Sequence, residues 1–330
     1  MPRVAAILGP KTPQSEVRMK ECGAVAERFD DLEIRFVDSD LPEDQLIEQL
    51  KDVIAIMPNG AREFSPELIE KLPNLRLIQT FSAGTDYLDK TMLAESGVDV
   101  ANNGGANAVA VAEHAIALMF AVNRKLVMQI DSVREGTWMA GVSGERTDFH
   151  TLVGKRIGIV GLGRIGSRVA KRLAGWECEL VYSDVVEHDA DYVAATGARQ
   201  VDLDELLSTS DIVTLHVPLD RITRHMISDR ELGLMKSTAI LVNTCRGPVV
   251  DEAALIRALE SKQIFAAGLD VTEIEPVEMD NPLLKMPNVT LTPHLATRAI
   301  ESEYNAAENA VTNIARLARG ESPDWIVAPV

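Results

Sequence analysis

The sequence predicts an α/β protein built on two doubly wound parallel sheets. Three observations lead there. Val- and Ile-rich runs alternate with stretches of helical spacing, the alternation stops and restarts once along the chain, and the second series opens on glycines spaced as at a strand-to-helix turn. A length of 330 residues suits two domains of ordinary size, and a hydrophobic content of 46% is enough to fill two buried cores.

In the first series, strand-like runs fall at residues 4–8, 34–37, 53–57 and 75–81, with helical spacing at 42–51 and 66–71. Residues 106–125 contain no breaker and read as a helix. Its most apolar part, 106–122, is shorter than the ~20 residues a membrane span needs and carries Glu113 and His114 at its centre, so a buried or subunit-contact helix is expected. The polar, glycine-containing stretch 134–149 reads as a surface connection. Six further strand-like runs follow at 156–160, 180–183, 212–217, 239–244, 265–271 and 289–292, the pattern of a doubly wound sheet. Residues 300–319 have helical spacing and can pack on either domain. Fixed short repeats, low-complexity tracts and blocks of like charge are absent from the sequence.

Bulk properties exclude several classes of function. A net charge of −17 repels nucleic acid and anionic membrane alike, so an anionic substrate would need a local cationic pocket. Cys22, Cys178 and Cys245 are odd in number, far apart and without CxxC spacing, which supports neither a disulfide framework nor a metal site and suits a reducing cytoplasm. The first nine residues read as a strand rather than a signal peptide.

The strongest local signal is Gly161-Leu-Gly-Arg-Ile-Gly166, directly after the run 156–160. At this spacing Gly161 permits a tight turn, Gly163 lets the backbone approach a dinucleotide pyrophosphate, and Gly166 lets the next helix pack closely on its strand. The next strand ends on Asp184, 18 positions beyond Gly166, where a carboxylate can hold a ribose diol. Asp184, with Glu187 and Asp189 nearby, would repel a 2′-phosphate, which favours NAD over NADP. A second glycine turn, Ser82-Ala83-Gly84, is small enough to present backbone N–H groups to an anion; it also reads as a plain tight loop with Asp86 capping the following helix.

Three residues of the second half sit at or just beyond strand ends, where open α/β sheets place ligands. Arg246 can hold a carboxylate bidentately and polarise an adjacent carbonyl. His294, after a strand and a proline, can give a proton near neutral pH because imidazole titrates at about 6.5. Glu275 can accept from the second ring nitrogen, fixing the tautomer and favouring the imidazolium.

From Arg156 to His294 the chain resembles the D-isomer-specific 2-hydroxyacid dehydrogenases, on Gly161-Leu-Gly-Arg-Ile-Gly166, Leu215-His-Val-Pro-Leu219, Val242-Asn-Thr-Cys-Arg-Gly247, Gly268-Leu-Asp-Val271 with Glu275-Pro276, and Thr292-Pro-His294. Residues 102–114, with Asn107 and Ala112-Glu-His114, are similar to that family's interdomain helix, so the likeness spans nearly the whole chain. It implies a Rossmann-like NAD domain, 104–298, inserted into a flavodoxin-like substrate domain, 1–103 with 299–330, and catalysis in the cleft between. It further implies that Arg246 binds the substrate carboxylate and carbonyl, His294 is the acid/base and Glu275 its partner. Ser82, Ala83 and Gly84 would bind the carboxylate through their amides. Cofactor contacts are implied for Gly161, Gly163, Arg164, Ile165, Gly166, Asp184, His216, Val217, Pro218, Thr223, Thr244, Cys245 and Asp270, and a homodimer through 107–125. No metal is implied.

The chain departs from the family pattern at Cys245 and in Leu295-Ala-Thr-Arg298, while Glu275 sets it apart from the formate-oxidising branch, which has Gln beside its His. The expected activity is reversible NADH-dependent reduction of a 2-keto acid to a D-2-hydroxy acid. Two alternatives stand beside it: an NAD-sensing, corepressor-like interaction protein, disfavoured by the lack of long disordered flanks, and a phosphoglycerate-type dehydrogenase, for which a chain ending at Val330 leaves only a short form. Arg62 reads either as a solvated side chain or as the recogniser of a second acid, and Arg298 as facing either the cleft or solvent.

Overall fold

The computed structural model describes residues 3–138 and 149–329. The chain forms two compact units, Met1–Asn107 with Arg298–Val330, and Ala108–Thr297. The first holds a five-stranded sheet of β1 (Arg3–Gly9), β2 (Leu32–Asp38), β3 (Val53–Pro58), β4 (Leu77–Gln79) and β5 (Asp99–Ala101), in the order β2-β1-β3-β4-β5. The second holds β6 (Arg156–Val160), β7 (Glu179–Ser183), β8 (Arg199–Gln200), β9 (Ile212–Leu215), β10 (Ile240–Asn243), β11 (Ala266–Leu269) and β12 (Val289–Leu291), in the order β12-β11-β10-β9-β6-β7-β8. Every pairing within both sheets is parallel.

Parallel strands covered on both faces must be apolar on both, which is why these strands are continuous Val/Ile/Leu runs rather than alternating ones. All six residues of β3 are buried, and each sheet separates two apolar layers. In the second sheet the strand order reverses between β6 and β9, so the loops leaving these two neighbours diverge and open a crevice at their C-terminal ends.

Two strands, β5 and β8, and the helix Pro13–Ala26 are not legible in the sequence. The strands are only three and two residues long and carry exposed polar positions. The helix buries Ser15, Arg18 and Cys22 along with Val25 and Ala26, so no apolar stripe betrays it. It starts where Thr12 accepts from the Ser15 amide with Pro13 in the first turn. The helix expected at 106–125 forms at Ala108–Asn123. The connection expected at 134–149 lies largely outside the described residues. No described helix is long and apolar enough to cross a membrane.

The last helix, Ile300–Ala318, which the sequence left unassigned, belongs to the first unit. A buried polar network fixes it there. Asn313 donates from Nδ2 to Gln79 Oε1 (2.7 Å) and to the Asp324 carbonyl (2.9 Å), and its Oδ1 accepts from the Asp324 amide (2.5 Å). Gln79 in turn donates to the carbonyls of Thr80 and Asn102. Both side chains are almost fully buried, so no water can replace a lost partner. The Asn313→Leu substitution would strand the Gln79 oxygen and the Asp324 amide, and should lower stability by about 2–4 kcal/mol. Urea denaturation measures this; a loss below about 0.5 kcal/mol would mean the network does not hold the helix.

Candidate active site

The crevice at the β6–β9 reversal is built on glycines that have no room for a side chain. Gly161 lies at φ +89°, and a Cβ there would sit 2.7 Å from the His216 carbonyl oxygen. At Gly166 a Cβ would fall 2.0 Å from the Gly161 carbonyl, so the helix Gly166–Leu173 can start against β6 only with glycine at that place. Gly163 differs from both, because nothing lies within 4 Å of where its Cβ would be. That open side is where a diphosphate can approach the backbone. Arg164 is exposed on the same turn, and Ile165 begins the helix.

Asp184 closes the turn from the end of β7. Its Oδ2 accepts from the Leu162 amide (2.6 Å) and its Oδ1 from the Val186 amide (2.9 Å), while His188 Nε2 lies 3.0 Å from Oδ2. Burial alone would raise this carboxyl, but the bonds from His188, Val186 and Leu162 hold it below the usual carboxylate range. Tyr192 adds a second brace, its hydroxyl donating to the carbonyls of Leu162 (3.0 Å) and Gly163 (3.2 Å).

His216, just after β9, is neutral. Burial pushes its imidazole down to about 3, Nε2 is paired with Thr214 Oγ1 at 3.0 Å, and the buried Nδ1 has no partner among the described residues. Thr244, just after β10, likewise has a buried hydroxyl oxygen without a partner among the described residues. Two orphaned polar atoms at neighbouring strand ends, beside an uncovered glycine turn, fit a nicotinamide dinucleotide lying along this edge. Val217 and Pro218 continue the loop from β9, and Thr223 folds it back by donating to the Pro218 carbonyl at 2.7 Å. Cys245 donates from Sγ to Asn243 Oδ1 (3.0 Å), and burial raises its thiol to about 11, so it packs as a neutral group.

The next loops carry Arg246, Glu275 and His294. Arg246 is half-buried and donates from Nη1 to the Cys245 carbonyl (2.8 Å). The following residue is forced to be glycine: a Cβ on Gly247 would lie 1.8 Å from the Thr272 carbonyl oxygen. That contact lays the Arg246 loop against the loop of Glu275. Glu275 Oε1 accepts from the Thr272 amide (3.1 Å), and Oε2 lies 2.6 Å from His294 Nδ1. Burial raises the Glu275 carboxyl, but its bond to His294, the charges of His294 and Arg246 and the Thr272 amide together hold it below the usual range. With Nδ1 so engaged, Nε2 is the ring atom left for a substrate.

Asp270 sets the His294 backbone. It is 1% exposed, and its carboxylate accepts from Thr292 Oγ1 (2.6 Å) and from the amides of Leu295 (3.0 Å) and Ala296 (2.8 Å). Its carbonyl accepts from the His294 amide (2.7 Å), and His294 sits at φ +54°, a left-handed conformation that a non-glycine residue keeps only when its surroundings impose it. His114 completes the cluster, with Nε2 2.9 Å from Thr292 Oγ1 and 3.5 Å from Asp270 Oδ1. Sequence reading placed His114 inside the helix but gave it no part in the site. Its signal is a histidine on a largely apolar helix, which has no assignable partner until the fold brings Thr292 to it.

In the first unit, residues 82–84 form a loop whose carbonyls point inward: Ser82 O accepts from Thr80 Oγ1 and from the Asn103 amide, and Gly84 O accepts from Ser82 Oγ. The amides of Ser82, Ala83 and Gly84 have no partner among the described residues and are available to an anion. The next helix is capped by Asp89, which accepts from the Met92 amide, and not by Asp86. Arg62 is half-buried, and its Nε has no partner among the described residues. Arg298 pairs with Glu303 at 3.2 Å.

Residues 116–296 match the family model described as "D-isomer specific 2-hydroxyacid dehydrogenase, NAD binding domain". A glyoxylate reductase of Korarchaeum cryptofilum is 39% identical over 86% of this chain and 85% of its own length. A D-3-phosphoglycerate dehydrogenase of Archaeoglobus fulgidus is 37% identical over 86% of this chain, but over only 53% of its own length. The crystal structure of the apo D-mandelate dehydrogenase of Rhodotorula graminis matches with a TM-score of 0.86 at 30% identity, covering 100% of this chain and 99% of that one. The chain belongs to the D-isomer-specific 2-hydroxyacid dehydrogenase family, as its motifs implied. It is an NAD-dependent oxidoreductase acting on the CH–OH group of 2-hydroxy acids, and the phosphoglycerate-type alternative is the weaker reading.

Proposed function

We propose that this chain reduces a small 2-oxo acid of the glyoxylate or hydroxypyruvate kind to the corresponding D-2-hydroxy acid, with Arg246, His294 and Glu275 as its chemical groups. The observation that carries this reading is the 2.6 Å pairing of His294 Nδ1 with Glu275, set beside the Arg246 loop by the Gly247–Thr272 contact. The names of the similar reductases support the substrate class. The Arg246 guanidinium would hold the substrate carboxylate and polarise the carbonyl oxygen. Residues 161–166 would hold the diphosphate of a nicotinamide dinucleotide and Asp184 its adenosine ribose, and the cofactor would supply a hydride to C2. As negative charge grows on the carbonyl oxygen, His294 Nε2 gives it a proton, forming the hydroxyl. Glu275 stays ionised throughout and stabilises the imidazolium until that transfer, after which solvent reprotonates the ring.

Assaying glyoxylate, hydroxypyruvate, pyruvate and branched and aromatic 2-oxo acids with NADH and NADPH tests the substrate class, with the first two expected to turn over best. Arg246→Ala should lower kcat/KM by about 10²–10³-fold while NADH still binds; unchanged turnover would remove Arg246 from its role. Glu275→Gln removes the carboxylate that pairs with His294 Nδ1, and should lower kcat/KM by about 10²-fold while NADH still binds. A kcat/KM equal to the wild type would break the assignment.

A homodimer is part of the same reading. The helix Leu126–Arg134, directly after the one expected to form the subunit contact, has no buried residue and exposes Leu126, Val127, Met128, Ile130 and Val133. Such an apolar face is what a second copy would cover. Light scattering should give twice the chain mass, and Ile130→Asp with Val133→Asp should give the single-chain mass; a monomeric wild type refutes the dimer.

A further inference from the structure

The helix Ala108–Asn123 carries one histidine to the loops beyond β11 and β12, and no step of the proposed reaction uses it. His114, Leu118 and Val122 follow one another at intervals of four residues and so share a face of the helix. Gly268 lets that face lie close on β11, since a Cβ there would meet Leu118 Cβ and Val122 Cγ2 at 3.2 Å each. One turn nearer the helix start, the same face delivers His114 to the end of β11. Its Nε2 lies 2.9 Å from Thr292 Oγ1 and 3.5 Å from Asp270 Oδ1.

The direction of this contact follows from counting protons. Thr292 has a single hydroxyl hydrogen, and the acceptors within its reach are Asp270 Oδ1 at 2.6 Å and the Leu269 carbonyl at 3.5 Å. The carboxylate is nearer and charged, so it takes the hydrogen. Thr292 Oγ1 then turns a lone pair to His114, and Nε2 has to be the donor. A bare Nε2 would instead oppose its own lone pair to the Thr292 oxygen and to the Asp270 carboxylate. The bonds therefore run in one sense, from His114 Nε2–H to Thr292 Oγ1–H to Asp270 Oδ1, and each polarises the next. Asp270 directs its remaining acceptor positions to the amides of Leu295 and Ala296, the two residues that follow His294.

We propose that His114 is a positioning residue for His294, acting through Thr292 and Asp270. By fixing the Thr292 hydroxyl on Asp270, it holds the carboxylate in the orientation that receives the Leu295 and Ala296 amides. Those bonds keep His294 at φ +54° with Nδ1 on Glu275. Without the His114 donor, the Thr292 hydroxyl is free to turn toward the Leu269 carbonyl, and Asp270 Oδ1 loses a bond. The loss falls on the aim of His294 Nε2 and not on the binding of the oxo acid. The inference rests on the assignment of His294 as the proton donor.

Two measurements test it. NMR of the full chain carrying nitrogen-labelled histidine, with the His114 signals identified by their loss in His114→Gln, should show a proton on Nε2; a bare Nε2 overturns the chain of bonds. The second is kinetic, with the 2-oxo acid that the wild type turns over best. His114→Leu removes the donor from a side chain that is 26% exposed, a place where leucine is tolerated in a helix. It should lower kcat by about 10–100-fold with KM for the oxo acid little changed, so that kcat and kcat/KM fall together. His114→Gln, whose amide nitrogen can donate to Thr292, should recover most of that loss, whereas a role in packing alone would be met by leucine. Thr292→Val cuts the link, and adding His114→Leu to it should cost nothing further. Wild-type kcat in His114→Leu, equal losses in His114→Leu and His114→Gln, or losses that add to that of Thr292→Val overturn the role of His114. His294→Asn separates the two assignments: if it leaves turnover intact, His294 is not the proton donor and the inference falls with that reading. If it abolishes turnover while His114→Leu does not reduce it, only the part given to His114 is lost.

Discussion

The buried carboxylate of Asp270 is the constraint on which the order of the His294 loop depends. A carboxylate with 1% exposure is costly unless its oxygens are filled, and here Thr292 Oγ1 and the amides of Leu295 and Ala296 fill them. These donors flank His294 on both sides, and the Asp270 carbonyl takes the amide of His294 itself. The acid is thereby wrapped by the segment that carries the imidazole. The backbone at His294 has no freedom to leave its left-handed conformation without exposing those bonds. The order of the His294–Glu275 pair follows from a charge that never touches it.

A parallel sheet makes such an arrangement economical in residues. Its loops all leave from one edge, so groups remote in the chain meet there: the loop after β6 carries Gly161 to Gly166, that after β9 carries His216, that after β10 carries Arg246, that after β11 carries Glu275, and that after β12 carries His294. Close backbone contacts then set the distances between neighbouring loops. Gly161 against the His216 carbonyl and Gly247 against the Thr272 carbonyl are approaches that no side chain permits. The electrostatics are equally local. A chain of net charge −17 repels organic acids at long range, yet Arg246 places a cation beside Glu275.

Much of this was legible in the sequence. The strand runs were visible because a sheet covered on both faces needs apolar residues at consecutive positions, and the glycine turn was visible because three backbone demands fall at fixed spacing. Arg246, Glu275 and His294 were singled out because each sits just past a strand and is of a type suited to carboxylate binding or proton transfer. The strands β5 and β8 were hidden by their length, and the helix Pro13–Ala26 by the polar residues it buries. Asp86 was a plausible cap, but the helix begins three residues later, and Asp89 holds the place.

What the sequence determined by itself was therefore the fold class and the family, since each is written in local spacing or in residue type. Tertiary structure alone decided which groups meet. That His114 reaches Thr292, that Asn313 locks the last helix to Gln79, that Asp270 serves as the clamp of the His294 loop, and that His188 rests on Asp184 are facts of distance between loops. The physical reason is that hydrogen bonds and charge pairs act over a few ångströms in space, and a chain records such proximity only once its sheets have brought their edges together.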